Sequence, residues 1–111
     1  MTDLLDLAFT LETQAQTSRW MPRGFRSCCK AIRQAIQSGD LVSAHHWLNS
    51  VWCPDTKHLL RPVRETLQDR MTEREHRIFS ALVHEPGLPS RPGKLAHQIL
   101  EAKIRKLQSQ Y

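Results

Sequence analysis

A chain of 111 residues, 40% apolar and 24% charged, is composed for one globular domain with a true core, which excludes a disordered or fibrous chain. Its net charge of +5 and pI near 9.6 favour an anionic partner and leave the fold undetermined. No apolar run approaches the roughly 18 residues of a membrane span, no charged leader precedes an apolar run at the N-terminus, and three cysteines, two of them adjacent, are poor material for a disulfide framework, so a single domain over residues 1–111 in a reducing cytoplasm is expected.

Taken in order, Thr2 or Asp3 caps a first helix that carries Leu4, Ala8, Leu11 and Ala15 on one stripe, with Leu5 and Phe9 beside it. Residues 1–18 hold Asp3, Asp6 and Glu12 and no cation, whereas residues 19–64 hold eight cations against two acids. Pro22 and Gly24 break the pattern before a second helix that runs to about Ser38. There Phe25, Cys29, Ile32 and Ile36 share one stripe, and Arg23, Arg26, Lys30 and Arg33 share another, a quarter to a third of a turn away at about 100° per residue. Gly39 stops this helix and Asp40 caps a third, which predicts an antiparallel hairpin with Leu41, Ala44, Leu48, Val51 and Trp52 inward and Trp47 near the edge.

Cys53, Pro54 and Asp55 end the third helix. Pro62 is then either the first-turn proline of a helix from about Arg61 or a kink, with Val63, Leu67 and Met71 following as a stripe. Thr72 and Glu75 have capping-box spacing, so either a new helix starts there or one long helix runs through. Three prolines and two glycines in residues 85–93 make a stiff connector. A last helix from about Lys94 places Ala96, Ile99, Leu100, Ile104 and Leu107 toward the core and Lys103, Arg105 and Lys106 elsewhere. The fold class is therefore all-α, a compact bundle of about five helices containing a central antiparallel hairpin.

Cations at spacing three, four and three on one helical face repel one another unless phosphates or carboxylates relieve them. The functional expectation is a small non-catalytic protein that binds DNA or RNA through phosphates, without sequence reading, as a subunit of a larger nucleoprotein complex. Its contact residues are Arg19, Arg23, Arg26, Lys30 and Arg33, with Trp20 as a stacking residue and Lys103, Arg105 and Lys106 joining if the last helix folds beside the second. The competing readings are a solvated face paired with the acidic first helix, a helical adaptor or inhibitor for a protein partner, or a transcription regulator with an atypical helix-turn-helix. Trp47 and Trp52 read as core anchors. Cys28, Cys29, Cys53, His45, His46 and His58 lack the close pairs of a zinc site, so no metal or other cofactor is expected and the histidines read as exposed. His76 among Glu73, Glu75 and Glu85 reads as solvated surface, and no nucleophile with a base beside it argues for an enzyme.

The run Met71-Thr72-Glu73-Arg74-Glu75, then Ile78-Phe79-Ser80-Ala81-Leu82, Glu85-Pro86-Gly87, Ser90-Arg91 and Leu95 resembles the opening of the winged-helix effector domain of response regulators. The likeness covers about a quarter of the chain. It departs from that family in lacking a separate recognition helix and β-wing, so it implies a Thr-capped helix and a Pro-Gly turn but no major-groove reading.

Overall fold

The computed structural model describes residues 3–18, 21 and 23–111, and of Arg23 the backbone alone. Six helices and no strand are found among the described residues: α1 (Leu4–Thr17), α2 (Arg23–Gln37), α3 (Leu41–Ser50), α4 (Lys57–Arg70), α5 (Glu73–Leu82) and α6 (Lys94–Gln108). The expected count of about five is corrected to six, because both segments around Pro62 and Thr72 become separate helices.

The end of α2 shows why the chain turns where it does. Gly39 adopts φ +82°, the Gly39 amide donates to Ile36 O at 3.1 Å and the Asp40 amide donates to Ala35 O at 2.8 Å, the paired closure of a left-handed helix C-terminus. Asp40 then caps α3, accepting from the Ser43 amide at 3.1 Å and the Ser43 hydroxyl at 2.6 Å. No residue separates the two caps, so α2 and α3 fold back on each other and pack. Likewise Thr72 accepts from the Glu75 amide at 3.1 Å while Glu75 accepts from the Thr72 amide at 2.9 Å, a complete capping box that selects the broken reading of residues 57–82 over one long helix. Pro62 lies inside α4, five residues beyond its start at Lys57, where it is exposed; the carbonyl of His58 that it leaves without a helical donor belongs to an exposed residue.

The stripes of α1 and α2 are buried as their spacing predicts: Leu4, Ala8, Leu11 and Ala15 on α1, and Phe25, Cys29, Ile32 and Ile36 on α2. α3 departs from expectation. Trp47 is fully buried, Trp52 is only half-buried, and His45 and His46 are both buried. The cause is that α3 packs against α2, α4, α5 and α6, so little of its circumference is left for solvent. His45 stacks on Phe79 with ring centroids 3.7 Å apart, and Nε2 of His46 bonds to Pro89 O at 2.7 Å, which fastens the proline-rich connector to α3. On α6, Leu100, Ile104 and Leu107 are buried, while Ile99 is 36% exposed and Leu95 69% exposed.

Candidate nucleic-acid interface

Arg19 and Trp20 lie outside the described residues, and Arg23 contributes only the first backbone position of α2. The remaining members of the expected ridge do not form one continuous positive row. Arg33 is engaged by Glu12 of α1: Nε donates to Oε2 at 2.6 Å and Nη2 to Oε1 at 3.3 Å. Its Nη1 donates to Gln37 at 2.9 Å, and the guanidinium carbon lies 5.3 Å from the Phe9 ring centroid. The Arg33 and Glu12 side chains retain only 18% and 13% exposure, and the carboxylate raises the Arg33 pKa above its ordinary value. Arg26 is half-buried and donates from Nη2 to the Ser18 carbonyl at 2.6 Å.

Helix geometry explains the division. Residues 26 and 33 are seven apart and so nearly in register along α2, on the flank turned toward α1; residue 30 falls about 40–60° to the other side of them. The seam between α1 and α2 therefore takes Arg26 and Arg33 and leaves Lys30 exposed. The last helix repeats the pattern. Arg105 pairs with Glu101 at 2.6 Å and Lys106 with Glu85 at 3.6 Å, while Lys103 is half-buried at the edge of the core stripe.

What the fold does bring together is a groove of about 490 Å³ between α2 and the beginning of α6. Ser27, Lys30 and Gln34 line it from α2; Lys94, His97 and Gln98 line it from α6, with Gly93 just before that helix. Lys30 and Lys94 are both exposed and have no ion-pair partner among the described residues. The acid in the lining, Glu101, is already held by Arg105. Gly93 caps α6 without a side-chain hydrogen bond, so the first amides of that helix carry their partial positive charge with no capping side chain. Lys94 was not among the expected contact residues. Its signal in the sequence is the glycine immediately before it, which sets a lysine on the first turn of a helix.

Two of the thiols, Cys28 and Cys29, and two of the imidazoles, His45 and His46, are buried. Burial pushes Cys28 up to about 11 and Cys29 up to about 12, and burial pulls His45 down to about 4. Cys53 is partly exposed; its Sγ lies 3.2 Å from the Thr56 hydroxyl, and this contact lowers its pKa. Among the described residues no three His, Cys, Asp or Glu side chains gather in a way that could hold a metal ion, and no helix is long and apolar enough to cross a membrane. Comparison with protein families, with curated proteins and with solved structures finds no match for this chain.

Proposed function

We propose that the groove between α2 and α6 binds the phosphodiester backbone of a nucleic acid without reading its sequence, and that the protein does so as a non-catalytic helical subunit of a larger cytoplasmic assembly. The observation that carries this reading is the meeting of Lys30 and Lys94, neither in an ion pair among the described residues, across one groove with the start of α6, whose Gly93 cap brings no side chain. Two ammonium groups and a helix N-terminus favour an oxyanion between them, and Ser27, Gln34 and Gln98 supply neutral polar atoms along the same walls. The charged groups of the groove, two ammoniums and a helix start, suit phosphate oxygens, which carry no sequence information, so affinity is expected to follow salt more than sequence.

A second reading rests on Leu95 and Ile99, exposed and one helical turn apart on α6, which suit a helix-binding protein partner. The two readings separate in a titration of a labelled random-sequence oligonucleotide followed by fluorescence anisotropy. The nucleic-acid reading expects binding at low salt that weakens with added salt, and a salt slope reduced by about 1 for each of Lys30→Glu and Lys94→Glu. No binding at low salt, or binding indifferent to both substitutions, overturns it.

A further inference from the structure

A second basic face lies on α4, where residues 57, 61 and 64 follow at spacings of four and three and so share one side of the helix over about 10 Å. Lys57 and Arg61 are exposed, and Arg64 is half-buried. No carboxylate among the described residues forms an ion pair with any of the three, although Glu65 stands one turn beyond Arg61. That sets them apart from Arg33, Arg77 and Arg105, each of which has an acid within 2.7 Å.

Arg64 has a different partner. Its guanidinium carbon sits 4.3 Å from the ring centroid of Trp52, a half-buried residue in the turn between α3 and α4. That turn is fixed by the buried Thr56, whose hydroxyl donates to Val51 O at 3.0 Å. A guanidinium seated on an indole keeps its charge and offers its second face as a plane. Planar guanidinium groups hold unstacked bases, and flanking cations hold the phosphates of the same strand. In a duplex the base faces are already occupied by their neighbours, so only the charges are of use there.

The geometry points to a second nucleic-acid contact on α4, in which Lys57 and Arg61 meet the phosphates of a single strand and Arg64, seated on Trp52, stacks on one of its bases. For the class of ligand it rests on the reading of the groove, but the two surfaces are separate. α4 packs on α1 and α3, whereas the groove is walled by α2 and α6.

The experiment uses the full chain and labelled single-stranded and duplex oligonucleotides of random sequence. Anisotropy supplies the affinity, and the indole N–H resonance of Trp52, assigned by its loss in Trp52→Phe, reports on the site itself. The exposed pair Lys57→Glu/Arg61→Glu is expected to weaken single-strand binding about tenfold at low salt, and the Trp52 resonance to shift on titration of the unaltered protein. Arg64→Lys, which keeps the charge and removes the plane, is expected to erase the preference for single strands. Unchanged affinity in the double variant with an unmoved Trp52 signal overturns the α4 contact, and leaves the groove standing if Lys30→Glu/Lys94→Glu still weakens binding. The opposite result overturns the groove and supports α4. Weakening by the charge changes with no single-strand preference overturns the stacking role of Arg64, and no binding at low salt overturns both surfaces.

Discussion

The contact between Glu12 and Arg33 makes the sharpest prediction about stability. Replacing Glu12 with glutamine leaves one neutral oxygen where a carboxylate received two guanidinium N–H groups at 2.6 and 3.3 Å, on a site where both side chains keep less than a fifth of their exposure. Hydrogen bonds to charged groups in such settings contribute about 1.5–3 kcal/mol, well above the value of an exposed surface pair. The rest of the Arg33 environment, Gln37 and the Phe9 ring, offers no countercharge. Glu12→Gln is therefore expected to lower the unfolding free energy by about 1.5–3 kcal/mol, and for a domain near this size each kcal/mol moves Tm by about 4–8 °C. Urea unfolding followed by circular dichroism, run as a double-mutant cycle with Arg33→Gln, measures the coupling directly. Single losses that simply add in the double variant, within about 0.5 kcal/mol, would falsify the claim that the pair joins α1 to α2. The same substitution frees a guanidinium beside Lys30, so Glu12→Gln is expected to raise affinity for an oligonucleotide while lowering stability.

Two further outcomes follow from buried groups. His45 is held neutral in the fold with its pKa lowered from 6.5 to about 4, so the unfolded chain binds the extra proton between those values; its contribution is complete above about pH 6.5 and is lost as pH falls toward 4, an effect of about 3 kcal/mol at most. Unfolding free energies measured across that range should rise with pH, and His45→Phe, which keeps the stack on Phe79, should flatten the slope; an unchanged slope would remove His45 as its source. Thiol labelling with a maleimide should modify Cys53 promptly in the native protein and reach Cys28 and Cys29 only on unfolding, because burial shields the latter two and raises their pKa to about 11 and 12. Rapid modification of all three in the native state would contradict the packing of α2.

The elements that apolar spacing and caps decide locally were legible in the residues alone. The α1 and α2 stripes, the Gly39 stop with its Asp40 cap, and the Thr72–Glu75 box each depend on residues within one or two turns of one another. What was not legible depends on which neighbours a helix acquires. His45 and His46 read as exposed because imidazole usually is, yet α3 is packed on several sides and Phe79 and Pro89 O arrive from residues far along the chain to receive them. Trp47 and Trp52 exchanged places for the same reason: the first faces the interior of the bundle, and the second, just past the last turn of α3, meets Arg64. The basic row of α2 was legible as a row, and Glu12 was legible as its possible partner. Only the angle at which α1 meets α2 decides that Arg26 and Arg33 fall in the seam and Lys30 does not.

That seam shows why formal charge is a poor measure of a binding surface. The chain has sixteen lysines and arginines, but Arg33, Arg70, Arg77, Arg105 and Lys106 are committed to carboxylates, and Arg26 and Arg74 donate to the carbonyls of Ser18 and Gln108. The innermost of these, Arg33 and Arg26, join α2 to α1 and to the residue that follows it. Lys30 and Lys94 at the groove and Lys57, Arg61 and Arg64 on α4 form no ion pair among the described residues, although Glu101 lines the groove and Glu65 stands one turn beyond Arg61. Screening distinguishes the two populations, since the Debye length falls from about 10 Å at 0.1 M salt to about 3 Å at 1 M, while a contact at 2.6 Å with most of its surface covered is little affected. Raising salt over that range should leave the Glu12–Arg33 coupling energy nearly unchanged and abolish oligonucleotide binding. A coupling energy that collapses together with the binding would mean that the pair is solvated, and that Arg33 belongs with the open surface after all.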